Sequence, residues 1–310
     1  MTFRLAHLSD PHLHPFPVPT WREWNLKRVL GSLNWHRGRK RQHRMDVLQR
    51  LLADLVAREP DHIAVTGDLA NLGLPVEHQG ALAWLRSIGS PAMVSVVPGN
   101  HDIFTESHGP AGVECWRDYM TGDDDPAGEE ASPFPFVRRL GRVVLIGLNS
   151  AVPAPPLRGW GLLGDAQRQR LAAILRSSAQ ENLVRVVLIH HPPAPGLRDR
   201  SYALNDAAEL AEVLRREGAE LVLHGHNHRA MLNVTPGPTR PVPLIGAPSA
   251  SLGETHGNQT LARYNLFEIG DEPGIMHIEM IERGITSADG AVEEIARHQL
   301  PFVRAETAPQ

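Results

Sequence analysis

Side chains that commonly bind metal ions recur in this sequence directly after short apolar runs. One run ends at Pro98-Gly99, and Asn100, His101 and Asp102 follow it. Four other runs are followed in the same way, by Asp10 and His12, by Asp68, by His190, and by His226 and His228. Oxygen and nitrogen ligands without sulfur suit Mn, Fe, Zn and similar divalent ions. The set is too large for one tetrahedral ion, so it favours two ions that share a carboxylate.

A pair of divalent ions would give this sequence the chemistry of a phosphate-ester hydrolase. Two ions about 3.5–4 Å apart can clamp phosphoryl oxygens and generate hydroxide at neutral pH. They also balance the charge of a phosphate ester better than a single ion does. Each block of residues, taken alone, is typical of an ordinary loop. Five such blocks on one edge of a sheet are not explained in this way. The sequence therefore predicts a dinuclear metal hydrolase of a phosphate ester.

Short strands must position these residues. The runs that precede the blocks are rich in Val, Ile and Leu, and helices are predicted between them, over Met45–Arg58 and Glu77–Ile88. Alternating strands and helices favour an α/β fold with parallel neighbouring strands and right-handed crossovers. Open α/β sheets bind ligands beyond the C-terminal ends of their strands, so we expect all five blocks to meet at one edge.

The composition of the 310-residue chain is that of an ordinary globular protein, with 42% hydrophobic and 21% charged residues. Its net charge of −4 argues against a general affinity for nucleic acid. Cys115 is the single cysteine, which excludes an internal disulfide and a cysteine-based zinc site. The N-terminus lacks a secretory apolar region, and no stretch approaches the ~18–20 apolar residues of a membrane-spanning helix. We therefore expect a soluble, cytoplasmic protein.

A basic segment, residues 21–44, lies between the first two blocks. It holds eight Lys and Arg residues against one Glu, together with three of the six tryptophans. One apolar helical face is predicted from the spacing of Leu26, Val29, Leu30 and Leu33. We favour a short packed helix followed by a solvated basic loop. The open alternative is a surface that binds a membrane, a phosphate-rich ligand or single-stranded nucleic acid.

The domain organisation is predicted to be simple, because no internal repeat or linker divides the sequence. We expect one domain over residues 1–310, with a core of about 1–250. The basic segment 21–44 would be an insertion into this core, and residues 251–300 would form a C-terminal β extension.

The five blocks, in this order and spacing over residues 5–228, resemble the signature of the calcineurin-like metallophosphoesterase superfamily. The resemblance implies a four-layer α/β/β/α sandwich with its site at the C-terminal strand ends. It implies that Asp10, His12 and His228 bind one ion, that Asn100, His190 and His226 bind the other, and that Asp68 bridges them. A metal-bridging hydroxide would attack phosphorus. His101 would stabilise the developing charge or protonate the leaving group, and Asp102 would orient His101.

Within the superfamily, the sequence is most similar to bacterial cyclic nucleotide and glycerophosphodiester phosphodiesterases. The shared motifs are Asn149-Ser150, residues 161–167 and His190-His191-Pro192-Pro193. The expected substrate is therefore a small phosphodiester. Since the basic segment is not part of that pattern, a membrane-associated phosphoesterase or pyrophosphatase with a lipid-linked substrate is the alternative. A further alternative is that the protein is not an enzyme but an inactive scaffold with the same fold. The sequence also leaves open whether the protein forms a homo-oligomer.

Overall fold

Two six-stranded sheets form the centre of the molecule. The computed structural model describes residues 2–105, 111–123, 134–270 and 277–300. In spatial order the first sheet consists of β12 (Glu293–Leu300), β11 (Ile278–Gly284), β10 (Arg263–Gly270), β1 (Thr2–Leu8), β2 (His62–Val65) and β3 (Val94–Val96). The second consists of β4 (Phe136–Leu140), β5 (Val143–Gly147), β6 (Val184–Leu188), β7 (Leu221–His224), β9 (Val242–Gly246) and β8 (Met231–Thr235).

Strand direction divides each sheet into a parallel part and an antiparallel part. The strands β1, β2 and β3 are parallel, and β10 pairs antiparallel with β1. In the second sheet β5, β6, β7 and β9 are parallel, and β4 and β8 are antiparallel edge strands. The predicted parallel α/β arrangement is confirmed, and the C-terminal ends of its strands lie together.

Six α-helices accompany the sheets in the described part of the chain. They are α1 (Leu26–Asn34), α2 (Lys40–Gln42), α3 (Met45–Ala57), α4 (Pro75–Ile88), α5 (Asp165–Gln180) and α6 (Ala207–Glu217). A π-helical turn, Trp35–Arg39, joins α1 to α2, and Val113–Met120 forms a 3₁₀ helix. Each of these helices is too short or too polar to cross a membrane.

The order of the layers follows from the alternation of apolar side chains along the strands. On β5, Val143 and Leu145 belong to the core between the sheets, whereas Val144 and Ile146 pack with α5 and α6. Side chains of α3 and α4 join the core of the first sheet. Strands that are buried on both faces need apolar residues at every position, which explains the continuous Val and Leu runs. The predicted four-layer α/β/β/α sandwich is confirmed.

Three strands were not expected from the sequence: β4, β8 and β12. The sequence of β12, EEIARHQL, is mostly polar and its side chains are largely solvent-accessible, so it carries little apolar signal. The strand β10 lies in the middle of the first sheet, between β1 and β11. Part of the predicted β extension, residues 271–276, lies outside the described residues.

Helix α1 is oriented opposite to our expectation. The side chains of Leu26, Val29 and Leu33 are 65%, 40% and 45% exposed, whereas Lys27 and Arg28 are buried. The reason is a set of hydrogen bonds to loop backbone, since Lys27 Nζ donates to the Phe104 carbonyl oxygen at 2.7 Å. The predicted packed apolar face is therefore wrong, because the cationic face of the helix is the one that packs.

Arg28 fixes the basic segment to the loop that follows β2. Its guanidinium donates to the carbonyl oxygens of Leu72 and Gly73, at 3.2 and 3.1 Å, and to Thr105 Oγ1 at 3.0 Å. Replacing it leaves buried carbonyl groups without donors, which costs about 1–3 kcal/mol per group. This contact holds α1 against the rest of the molecule.

We expect Arg28→Ala to loosen residues 26–42 without unfolding the sheets. Hydrogen exchange measured by mass spectrometry should become faster in this segment and stay unchanged in β5 and β6. Arg22→Ala is the matched control, because Arg22 is exposed and stacks on Trp21. Equal protection of residues 26–42 in both variants would contradict the anchoring role of Arg28.

Candidate metal centre

The structure brings all seven predicted metal ligands to one end of the two sheets. Five strands deliver them: Asp10 and His12 follow β1, Asp68 follows β2, Asn100 follows β3, His190 follows β6, and His226 and His228 follow β7. All seven side chains are buried. The loops of the two sheets are joined here, because the His226 backbone N–H donates to Asp10 Oδ2 at 2.9 Å.

A first ligand group is formed by Asp10, His12, His228 and Asp68. The His228 Nε2 atom lies 3.2 Å from Asp10 Oδ1 and 3.3 Å from His12 Nε2. The His12 Nε2 atom lies 3.8 Å from Asp68 Oδ2. Two ligands at about 2.0–2.2 Å from one ion are about 2.8–3.8 Å apart for angles of about 90–120° between them. The first group thus has the spacing of a cation site.

A second ligand group is formed by Asn100, His190, His226 and again Asp68. The His190 Nε2 atom lies 3.2 Å from Asn100 Oδ1, 3.2 Å from His226 Nδ1 and 3.5 Å from Asp68 Oδ2. The same carboxylate oxygen, Asp68 Oδ2, therefore faces both groups. This arrangement fits two neighbouring divalent ions with one shared ligand.

Hydrogen bonds outside the two groups set the orientation of the imidazole rings. His12 Nδ1 lies 3.2 Å from the Ala70 carbonyl oxygen, and His190 Nδ1 lies 2.7 Å from that of Thr66. A carbonyl oxygen only accepts, so each Nδ1 carries a proton and Nε2 is the nitrogen that faces the site. Such partners are typical of histidines that bind metals.

The electrostatics of the site also favour bound cations. Burial holds the pKa of His12 and of His226 well below the usual value, so both rings are neutral. Burial also disfavours a charge on His190, but Asp68 outweighs it and raises the pKa of His190 to about 9. In the absence of a metal, the Asp68 carboxylate thus favours a proton on the His190 ring, where a metal would otherwise bind. Metal binding would release that proton.

The backbone at the ligands is strained. The φ angles of Asp10, His12, Asp68, His226 and His228 lie between 42° and 67°. Left-handed conformations of residues other than glycine cost of order 1–3 kcal/mol each, and they persist where the surroundings impose them. Their concentration at these ligands indicates a functional site rather than an ordinary set of loops.

Gly99 allows the loops after β2 and β3 to approach each other closely. A Cβ atom at this position would overlap Asp68 Oδ1 and would lie 2.5 Å from the Asp68 backbone nitrogen. Any larger residue would push away the carboxylate that the two ligand groups share. Close packing against Asp68 is therefore sufficient to explain why a glycine precedes Asn100.

His101 lies beside the two ligand groups, but Asp102 does not orient it. His101 Nδ1 donates to the carbonyl oxygen of Asn71 at 2.6 Å, which leaves Nε2 facing the cleft. Burial lowers the pKa of His101 to about 4. The carboxylate of Asp102 instead accepts the backbone N–H groups of Asp68, Ala70 and Gly99, each at 2.8 Å. The expectation that Asp102 orients His101 is therefore corrected: Asp102 fastens the loops that carry the ligands.

A cleft of about 1110 Å³ opens over the ligands. Its walls include α1, the π-helical turn and the loop around residues 196–202. Six cationic side chains line it, namely Lys27, Arg37, Arg39, Arg158, Arg198 and Arg229. Apart from the ligand Asp68, Asp199 is the acidic residue of this lining. The cleft thus suits an anionic ligand.

Two residues of the basic segment reach the site without having been predicted there. Arg39 Nη2 lies 2.9 Å from His12 Nε2, and Arg39 Nη1 lies 3.3 Å from His101 Nε2. His43 forms a potential metal-binding cluster with His12 and His228. No spacing rule connects these positions in sequence, so the segment was predicted to be a solvated loop.

A family comparison agrees with this geometry. The family model for calcineurin-like phosphoesterases matches residues 3–230. The chain belongs to the calcineurin-like phosphoesterase family. The predicted resemblance is thereby confirmed.

Relatives of this phosphoesterase family member include bacterial proteins that are named phosphodiesterases. The chain is 31% identical over 191 residues to a probable cyclic nucleotide phosphodiesterase of Rhodococcus erythropolis, covering 58% of this chain and 56% of that protein. It is 28% identical over 232 residues to a glycerophosphodiester phosphodiesterase of Enterobacter lignolyticus, covering 72% and 70%. It is 29% identical over 234 residues to a cAMP/cGMP dual specificity phosphodiesterase of Mycobacterium tuberculosis, covering 72% and 61%. The match thus spans little more than half of the Rhodococcus protein.

Solved structures of phosphatases share the fold of this chain. A dimetal phosphatase from Danio rerio has a TM-score of 0.59 at 15% identity, covering 94% of this chain and 98% of that chain. A purple acid phosphatase from yellow lupin has a TM-score of 0.57 at 14% identity, covering 95% and 53%. At these identities the likeness concerns the fold, and it agrees with the four-layer sandwich.

We expect Gly99→Ala to destroy the shared part of the site. The added methyl group meets Asp68, so metal stoichiometry measured by mass spectrometry should fall, with a destabilisation of about 1–3 kcal/mol. Gly80→Ala is the matched control, because Gly80 lies inside α4 with open space around its Cα. That variant should keep its metal and be as stable as the parent or more so. Full metal content in Gly99→Ala would contradict the close-packing argument.

Proposed function

We propose that this protein is a dinuclear metal-dependent phosphodiesterase that hydrolyses a small phosphodiester. The observation that carries the proposal is Asp68 Oδ2, which faces His12 at 3.8 Å and His190 at 3.5 Å. Two neighbouring ions that share a ligand need one carboxylate that faces both ligand groups, and Asp68 has this position. One ion would be bound by Asp10, His12, Asp68 and His228, and the other by Asp68, Asn100, His190 and His226. Mn, Fe and Zn all suit this donor set.

The protein's own residues would position the substrate and move one proton. When bound, the two ions would polarise the phosphoryl oxygens and supply a hydroxide nucleophile. His101 Nε2 faces the cleft, so it is the atom that would donate a proton to the leaving oxygen. The Asn71 carbonyl keeps the ring in this orientation, and the negative charge of a bound phosphate would favour protonation of the ring.

A small diester of the cyclic nucleotide or glycerophosphodiester type is the substrate class that we propose. The names of the relatives from Rhodococcus, Mycobacterium and Enterobacter support these two classes. The cationic lining of the cleft, including Arg39, Arg158 and Arg198, supports a substrate that keeps a negative charge through the reaction. Arg39 lines the cleft with its Nη1 atom 3.3 Å from His101 Nε2, and it would contact the phosphate.

A substrate panel with defined metals tests this proposal. We expect the protein loaded with Mn²⁺, Fe²⁺ or Zn²⁺ to hydrolyse the model diester bis-p-nitrophenyl phosphate. It should also hydrolyse cAMP or glycerophosphocholine, which represent the two proposed types of natural substrate. Chelation should abolish hydrolysis, and the added metal should restore it. His101→Asn should keep both metals and lose ~10²–10⁴-fold in turnover, as expected for a proton-transfer group. The loss should be larger for a poor leaving group than for p-nitrophenolate.

The control for this panel is His36→Asn, because His36 is exposed on the basic segment and its ring bonds to the backbone of Ser32. It should turn over like the parent protein. A purified protein that binds no transition metal and hydrolyses no diester would overturn the proposal and favour an inactive scaffold. Hydrolysis of phosphomonoesters alone would keep the metal centre but overturn the diester assignment.

A membrane-associated phosphoesterase or pyrophosphatase with a lipid-linked substrate is the second candidate, favoured by the exposed face of α1. Trp21 is 79% exposed and Leu26 is 65% exposed, beside the mouth of the cleft that Lys27 and Leu33 line. Tryptophan and leucine beside Lys and Arg are typical of helices that lie on anionic membranes. In this form the protein would be peripheral to the inner face of the membrane.

Vesicle flotation tests the second candidate. We expect the protein to float with phosphatidylglycerol vesicles, and the double variant Leu26→Ser and Leu33→Ser to bind several-fold less. The matched control is Leu232→Ser with Val234→Ser, two exposed apolar residues on the edge strand β8. The control should float like the parent. A parent protein that stays with the unbound fraction would rule out this candidate and leave the diester proposal intact.

A further inference from the structure

We propose that His43 is an additional ligand of the ion in the first group, supplied by the basic segment 21–44. This inference rests on the proposed metal centre, but it concerns a residue outside the predicted ligand set. One ligand atom from each of His12, His43 and His228 lies within 4.8 Å of the other two. The ring of His43 is 4.6 Å from that of His12 and 5.6 Å from that of His228, centroid to centroid.

A chain of hydrogen bonds places the ring proton of His43 on Nδ1. Ser249 Oγ lies 2.6 Å from the Asp10 carbonyl oxygen and must donate to it. Ser251 Oγ lies 3.3 Å from Ser249 Oγ, which can accept its hydrogen, and 2.8 Å from His43 Nδ1. With a proton on Nδ1, His43 donates to Ser251, Ser251 donates to Ser249, and every hydrogen in the chain has an acceptor. A proton on Nε2 instead would be a buried donor without an acceptor among the described residues. The lone pair of His43 is consequently on Nε2, the form in which imidazole binds a metal.

The Nε2 atom of His43 is buried and has no hydrogen-bond partner in the part of the chain that the structure describes. The side chain is only 1% exposed, so bulk water does not satisfy this atom. His224 Nε2 is also buried and unpartnered among the described residues, and it belongs to none of the ligand groups. His43 differs because its ring lies against two histidines that already have the spacing of metal ligands. One divalent ion could accept the lone pairs of all three histidines, His12, His43 and His228, at once.

The ring of His43 is held rigidly in this place. Trp35 is buried and lies parallel to it, with ring centroids 6.0 Å apart and planes at 9°. Phe16 also stacks on Trp35, with ring centroids 4.7 Å apart. The backbone N–H of Arg44 donates to the Ser251 carbonyl oxygen at 2.8 Å, which joins the segment to the loop after β9. A ligand fixed in this way needs little reorganisation on metal binding.

Zinc titration of protein labelled with ¹⁵N-histidine tests this inference on the full chain. We expect the Nε2 resonance of His43 to shift on Zn²⁺ binding together with those of His12 and His190. The variant His43→Gln identifies the resonance by its loss. Shifts at His12 and His190 with no shift at His43 would overturn the inference and leave the proposed metal centre intact. No shift at any of these histidines would overturn the metal centre itself.

Metal affinity gives a second, independent readout. We expect His43→Gln to weaken Zn²⁺ binding in the first site by at least about 10-fold, and Ser251→Ala by about 10–100-fold, as for partners that orient a metal-binding histidine. His36→Gln is the matched control on the same segment and should bind Zn²⁺ like the parent. Unchanged affinity in a folded His43→Gln variant would contradict the inference. Should that variant not fold, the titration of the parent protein still decides, because the His43 ring can be assigned by correlation to its own backbone in protein labelled with ¹³C and ¹⁵N.

Discussion

The buried carboxylate of Asp68 is the constraint on which the site depends. Its Oδ2 atom faces His12 in one ligand group and His190 in the other, and its Oδ1 atom accepts the backbone N–H of His101 at 2.8 Å. A buried charge of this kind is unfavourable unless cations and donors surround it. His190 provides one such partner and, when bound, two divalent ions would provide the rest. The loops of both sheets converge on this one side chain.

The position of Asp68 depends in turn on Asp102 and Gly99. Asp102 accepts three backbone N–H groups, from Asp68, Ala70 and Gly99, and so fixes the loop after β2 to the loop after β3. Gly99 lets these loops approach because a side chain there would meet Asp68. The left-handed backbone at Asp10, Asp68 and His226 shows the cost of this arrangement. Two sandwiched sheets supply the rigidity that maintains it.

The basic segment lines part of the cleft and adds positive charge to it, so it is more than a feature of the outer surface. Because Lys27 and Arg28 turn inward to loop carbonyl groups, Arg39 and His43 reach the ligands and the apolar face of α1 remains outside. The cleft therefore gains positive charge next to the metal ligands. The same segment carries cationic side chains that would suit the proposed anionic substrate and exposed apolar side chains that the proposed membrane contact would use, and His43 links it to the first ligand group.

The types, order and strand-end positions of the proposed metal ligands were predictable from the sequence, because strand ends and turn residues are local features. The same holds for the parallel strands β1, β2 and β3, which are short and mostly apolar. The strands β8 and β12 lacked such runs, and their pairing depends on neighbours that are distant in sequence. The orientation of α1 was mispredicted since periodicity assumes that apolar residues face inward. Only the tertiary structure supplied the buried carbonyl groups that reverse this preference. It alone also decided that Asn71 rather than Asp102 orients His101, and that His43 meets Ser251 across 208 residues of sequence.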